Sequence, residues 1–153
     1  MMDLLAPKLL YVGDNNTYSS VHNVDFELIH GRNGLPSIVY IDVESDESEV
    51  VEVGRCIVGC RWGTPWLYIP EFEIAKPYRG RGYGASFFNE VKRFAKHKDF
   101  SYIWIRPKEN DEQVRKFWVS QGGTSDVGSE AHLVPRNFDR KCLAFDLNAD
   151  DRT

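Results

Sequence analysis

The chain of 153 residues predicts a single α+β domain built on a central, mostly antiparallel mixed sheet flanked by helices. Three observations carry this expectation. Short β-rich runs divided by turn residues fill the first half of the chain, one strongly amphipathic helical stretch follows, and the remainder reads strand, helix, strand. No internal repeat or low-complexity tract interrupts that order, and the length suits one ordinary domain better than two. Residues 1–153 are therefore read as one unit, with 1–23 as an N-terminal segment and 148–153 as a polar tail.

The elements follow in order. A polar, turn-rich segment from Gly13 to Ser20 precedes strands expected at Val24 to His30 and Ser37 to Val43, joined as a hairpin by Gly31-Arg32-Asn33-Gly34. An acidic loop, Glu44 to Glu49, leads to a β-rich run from Val50 to Trp62, and Gly63-Thr64-Pro65 turns the chain into a strand from Trp66 to Ala75. Four antiparallel strands are thus expected before the first helix. From Gly84 to Lys98, Ala85, Phe87, Phe88, Val91, Phe94 and Ala95 keep helical spacing while Asn89, Glu90, Lys92, Arg93 and Lys96 take the opposite face. Lys96, His97 and Lys98 suit the negative end of that helix. A strand at Tyr102 to Ile105 stops at Arg106-Pro107. Asn110 and Gln113 then form a capping-box pattern for a helix bearing Val114, Phe117, Trp118 and Gln121, ended by Gly122-Gly123. Cys142 to Leu147 closes the sheet.

Apolar residues at 42% and charged residues at 27% match globular averages and exclude disordered and fibrous classes. No apolar run reaches the roughly 18 residues of a spanning helix, and Met1 to Leu10 contains Asp3 and Pro7 in place of a basic-then-apolar leader, so a soluble cytoplasmic protein without membrane association is expected. Cys56, Cys60 and Cys142 are an odd count. In an extended strand Cys56 and Cys60 stand about 13 Å apart, too far for a disulfide, so reduced thiols are expected. His22, His30, His97 and His132 show no ligand spacing, and no metal is expected.

Charge is segregated along the chain. Residues 1–75 hold 4 basic and 12 acidic side chains, residues 76–141 hold 14 and 8, and residues 142–153 hold 1 and 3. Unless these are only solvated faces, the basic segment suits an anionic ligand and the acidic one a cationic partner.

That basic segment opens with Lys76-Pro77-Tyr78-Arg79-Gly80-Arg81-Gly82-Tyr83-Gly84, between a strand and the amphipathic helix. Alternate glycines let successive N–H groups point inward, and the helix adds its unpaired donors and positive dipole end. A diphosphate fits such a cradle, and Arg79 and Arg81 add charge-assisted contacts. Gly80-x-Gly82-x-x-Ala85 also meets the loose dinucleotide pattern, but repeated βαβ units are lacking and Arg106 stands where an acidic residue is needed. The Gly-Lys-Ser/Thr ending of a nucleotide triphosphatase loop is absent. A turn without a ligand would leave the paired arginines unexplained.

At these residues the sequence resembles the GNAT acetyltransferases, whose core motif reads Arg/Gln-x-x-Gly-x-Gly/Ala. Arg79-Gly80-Arg81-Gly82-Tyr83-Gly84 matches it without a gap, and the resemblance spans about Ile57 to Gly123. It implies acetyl-coenzyme A as cofactor, an amine acceptor, and a binding set of Ile74, Arg79, Gly80, Arg81, Gly82, Tyr83, Gly84, Ala85 and Asn110. It also implies that Glu73 to Tyr78 belongs to the strand end that bonds the pantetheine arm, with the Ile74 N–H polarising the thioester carbonyl. Two departures stand out. The family's two helices after the first strand have no amphipathic counterpart before Val50. In its second motif, Asn-x-x-Ala-x-x-x-Tyr-x-x-x-Gly-Phe, Asp111, Val114, Trp118 and Gly123 replace the four named residues other than glycine, with Asn110 one place off. The family's tyrosine often protonates the departing thiolate, which an indole cannot do. Trp118 can pack on the cofactor or fill the core.

Transfer to an amine needs a base, and Glu71 and Glu73 are the carboxylates nearest the expected centre, Glu71 ranking first because it lies further from the pantetheine-binding backbone. Both also read as simply solvated charges. Tyr78, Tyr83 or water remain as the acid. The acidic half favours a cationic acceptor, such as a polyamine or a protein lysine or N-terminus. Alternatives are a non-catalytic acyl-coenzyme A binding module and a nucleic-acid modifier using Lys92, Arg93, Lys96 and Lys98, the latter disfavoured by the net charge of −4. Monomer and homodimer both stay open.

Overall fold

A computed structural model describes residues 8–12, 18–20, 37–42, 51–60, 64–108, 110–127 and 134–148. Strands β1 (Lys8–Val12), β2 (Tyr18–Ser20), β3 (Ser37–Asp42), β4 (Val51–Cys60) and β5 (Trp66–Ile74) precede helix α1 (Tyr83–His97). Strand β6 (Tyr102–Ile105), helix α2 (Glu112–Ser120) and strand β7 (Leu143–Asp146) complete the α+β domain. Among the described residues the strands form one sheet in the order β2-β1-β3-β4-β5-β6-β7. Every neighbouring pair is antiparallel except β5 and β6, which α1 links as parallel strands.

The helix expected at Gly84 to Lys98 forms one residue earlier, and its apolar stripe is buried: Phe87, Phe88, Val91, Phe94 and Ala95 all face the sheet. They meet Val53, Cys56 and Val58 of β4, Leu67 and Ile69 of β5, and Leu143 and Phe145 of β7 in the main core. A smaller cluster of Trp66, Trp104, Cys142 and Ala144 lies with Tyr68, Tyr102 and Phe138 around it. The two clusters divide β5, β6 and β7 by alternation: Leu67, Ile103 and Phe145 join the first, Trp66, Trp104 and Ala144 the second.

Several expectations are corrected here. Five described strands precede α1, not four, because β1 and β2 were not foreseen. Tyr18–Ser20 extends the sheet beside β1 where a polar turn was expected. Three residues, two of them serine, show no alternation to read, and only pairing with Val12 to Leu10 holds them extended. The strand expected at Val24 to His30 lies outside the described residues. The start of α2 also differs. Asp111 is the cap, its carboxylate accepting the Val114 N–H at 3.1 Å, while Asn110 sits one residue before it with φ +66. A carboxylate that reaches the third residue's N–H displaces the Asn110–Gln113 pairing.

Candidate functional site

The site begins with an irregularity in β5. Leu67 and Ile69 face the main core, and then Phe72 and Ile74 do, so an extra residue intervenes. The register with β4 shows it: Ile57 pairs with Glu71 but Gly59 with Tyr68, two steps on β4 against three on β5. Pro70, with no N–H to give to a ladder, occupies this bulge. The bulge turns Glu71 and Glu73 to the side opposite α1, where both are exposed.

Pairing of β5 with β6 stops just before the bulge. Its last row is Tyr68 with Trp104, while β5 runs on beside β4 to Ile74. Beyond that row the edge of β5 toward β6 carries no ladder among the described residues. The Ala75 N–H bonds the Val53 carbonyl at 2.8 Å, which makes Gly54–Ile74 a non-hydrogen-bonded pair. The backbone groups of Ile74, and by alternation those of Phe72, therefore point into the gap.

A single 3₁₀ turn, Lys76–Tyr78, then leads into the glycine loop. Gly80 at φ +76 and Gly82 at φ +86 are both left-handed, and nothing lies within 4 Å of where a Cβ would stand on either. Conformation, not crowding, calls for glycine at these two places. Gly82 is the N-cap of α1 and provides no side-chain cap, so the first-turn N–H groups at Tyr83, Gly84 and Ala85 are offered to whatever sits before the helix. Gly84 serves a different end: a Cβ there would meet the Phe117 ring at 3.3 Å, so it lets α1 settle on α2.

Of the two loop arginines, Arg79 folds back on β5. Its Nε donates to the Ile74 carbonyl at 2.9 Å and its guanidinium pairs with Glu73 at 3.1 Å, both side chains exposed. Arg81 is exposed and makes no hydrogen bond or ion pair among the described residues. Tyr78 and Tyr83 pack edge to face with centroids 5.6 Å apart. The structure thus brings Glu73, Ile74, Arg79 and both tyrosines together at the C-terminal end of β5. Asn110 is elsewhere, lining a cavity of about 390 Å³ with Lys108, Asp111 and Arg115.

Trp118 is core. It is 6% exposed, and rings of Phe72, Phe88, Phe117 and Phe145 surround it at centroid distances of 4.9, 4.9, 4.8 and 6.0 Å. None of the three cysteines forms a disulfide; burial pushes the Cys56 and Cys60 thiols above their ordinary range. Among the described residues no group of three or more His, Cys, Asp or Glu side chains could hold a metal ion, and no helix is long and apolar enough to cross a membrane.

A model of the acetyltransferase (GNAT) family matches residues 11–122. The chain belongs to that family. No curated protein sequence matches it. Among solved structures, GCN5 from Tetrahymena is 12% identical with a TM-score of 0.62, covering 94% of this chain and 96% of its own. AtaTR bound with AcCoA is 14% identical at 0.63, covering 96% and 97%. A spermidine N-acetyltransferase SpeG chimera from Vibrio cholerae and hSSAT is 11% identical at 0.60, covering 83% and 73%. At these identities the likeness is one of fold, and it reaches well beyond the span from Ile57 to Gly123 that the sequence resemblance covers.

For a GNAT protein the sheet face opposite α1 is the part that sequence reading missed. Across the parallel pair, Trp66 stacks on Tyr102 at 4.4 Å and Tyr68 on Trp104 at 4.2 Å. Pro70 inside an otherwise regular strand, and aromatics at alternate positions of both strands, were the signals available.

Proposed function

We propose that this GNAT protein transfers an acetyl group from acetyl-coenzyme A to a primary amine. One observation carries the reading: two left-handed glycines deliver an uncapped helix N-terminus to the end of β5, beside the edge where Ile74 exposes its backbone. This geometry fits a pyrophosphate on the N–H groups of residues 80–85 and an amide-bearing arm along β5. Arg79 and Arg81 would supply charge; the exposed Arg79–Glu73 pair is worth under about 1 kcal/mol and yields readily to a phosphate. Asn110, just before the N-cap of α2, would contribute from the start of that helix.

When bound, acetyl-coenzyme A supplies an activated acetyl thioester. The chain's own residues then have three tasks. The Ile74 N–H would donate to the carbonyl oxygen. Glu71, on the open face, would take a proton from the arriving ammonium directly or through water, with Glu73 in reserve because it holds Arg79. Tyr78, Tyr83 or water would return a proton to the departing sulfur. The amine classes that suit the acidic N-terminal half are polyamines, other cationic small molecules, protein lysines and N-termini.

The core position of Trp118 favours a second reading, an acyl-coenzyme A binding module without turnover. Release of free thiol over an amine and peptide panel decides between them, since binding without release for every acceptor supports only the module. The cofactor claim has its own test. Arg79→Ala with Arg81→Ala should weaken acetyl-coenzyme A binding at least tenfold in calorimetric titration, and an unchanged affinity would overturn the site.

A further inference from the structure

The sheet face opposite α1 carries two adjoining cavities of about 810 and 520 Å³, within the range of small-molecule sites. They share Tyr68, Trp104, Arg136 and Asn137. Tyr68 and Trp104, which both cavities share, form the last row before β5 and β6 part. Glu71 lies on the same side of β5, three residues beyond Tyr68. From the other side the segment around Phe138 closes over the aromatics, its ring 6.0 Å from Trp66 and 6.1 Å from Trp104.

The charge of these walls is positive. Asp139, the one carboxylate among their described residues, is already committed: it pairs with Arg106 at 3.2 Å and accepts the Lys141 N–H at 2.8 Å. Arg136 is exposed and makes no ion pair or hydrogen bond among the described residues. A polyamine would place its distal ammonium groups beside the Arg136 guanidinium, a like-charge contact. A guanidinium, by contrast, binds a carboxylate in bidentate fashion, and the half-buried Tyr68 ring, stacked on the buried Trp104, offers an aromatic surface.

We infer that the acceptor is a primary amine whose body carries an aromatic ring and a carboxylate, with the ring against Tyr68, the carboxylate on Arg136 and the amine toward Glu71. Aromatic amino acids and short peptides containing them have this chemistry. The inference rests on the acetyl-transfer reading, and it narrows the cationic character expected of the acceptor to its reacting end.

The test measures thiol release by the full chain with acetyl-coenzyme A and four probes: tryptophan, glycyl-tryptophan, tryptamine and spermidine. Tryptophan or glycyl-tryptophan should exceed tryptamine and spermidine at least tenfold in kcat/KM. Arg136→Ala should raise KM about tenfold or more for the carboxylate-bearing probe that turns over, with a smaller change for tryptamine, and Arg136→Lys should recover part of the loss. Preference for spermidine or tryptamine, or an equal loss on every probe, overturns the inference while leaving acetyl transfer intact. If no probe releases thiol, equilibrium dialysis of N-acetyltryptophan decides separately. Binding that Arg136→Ala weakens tenfold supports the groove while acetyl transfer fails, and no binding overturns it.

Discussion

Trp118 stands at the tyrosine position of the family motif that the sequence resembles, and its surroundings predict how substitutions there should behave. Four phenylalanine rings enclose an indole that is 6% exposed. Removing the ring in Trp118→Ala leaves a cavity and should cost about 3–5 kcal/mol. At about 2–4 °C per kcal/mol for a chain of this size, the melting temperature should fall by about 10 °C. Trp118→Phe keeps most of the volume and should cost less than about 1.5 kcal/mol. Trp118→Tyr, which restores the family's residue type, sets a hydroxyl among phenylalanine rings and should cost a further 1 to 3 kcal/mol or about that if it finds no partner. The assays are thermal unfolding by circular dichroism and thiol release from acetyl-coenzyme A. Trp118→Phe should unfold within about 5 °C of the native chain and keep its kcat, and Trp118→Tyr should gain no rate. A Trp118→Phe protein of native stability with kcat reduced tenfold would refute the reasoning, because the indole would then act on the reaction and not on the core.

Three further outcomes follow from the same geometry. Gly82→Ala has free space around its new methyl but must hold φ near +86, so it should lower stability by about 1–2 kcal/mol and weaken acetyl-coenzyme A binding, both readable by differential scanning calorimetry with and without ligand. Glu71→Gln should reduce kcat about 100-fold with little change in the KM for acetyl-coenzyme A, and Glu73→Gln should do less; an unchanged kcat in Glu71→Gln would return that residue to the status of a solvated charge. The Asp139 carboxyl is held below its ordinary value of 3.8, chiefly by the Lys141 N–H, with Arg106 adding to it. Its stabilising contribution is thus complete above that value and fades as pH falls through the lowered one. Residues 134–142 should accordingly show weaker hydrogen-exchange protection in solution more acid than about 4 than at neutral pH, and Asp139→Asn should weaken it already at neutral pH.

Local pattern alone made much of this protein legible. The period of Phe87, Phe88, Val91, Phe94 and Ala95 specifies α1, because a stripe that wide has no other way to be buried. Alternate glycines before that helix specify a loop whose N–H groups turn inward, and Gly80 and Gly82 are both left-handed as that demands. These features depend on residues a few positions apart, which is the range over which sequence speaks plainly. Other features depend on pairing between distant segments. Tyr18–Ser20 is a strand only because β1 lies beside it. Pro70 hints at an interrupted strand, but the bulge itself is a mismatch of register with β4, and it decides which face Glu71 and Glu73 occupy. Trp118 could have lain on a ligand or in the core, and the rings from β5, α1 and β7 that enclose it come from across the fold. The groove of Tyr68, Trp104 and Arg136 joins residues far apart in the chain: alternate aromatics mark each strand, but only the fold brings Arg136 beside them. Sequence by itself determined the family, the loop and the helix behind it, since each is a local pattern of backbone freedom and apolar spacing. Tertiary structure alone decided where β5 opens, which side chains share its free face and that the indole is buried, because those depend on register and packing between segments the chain brings together only when it folds.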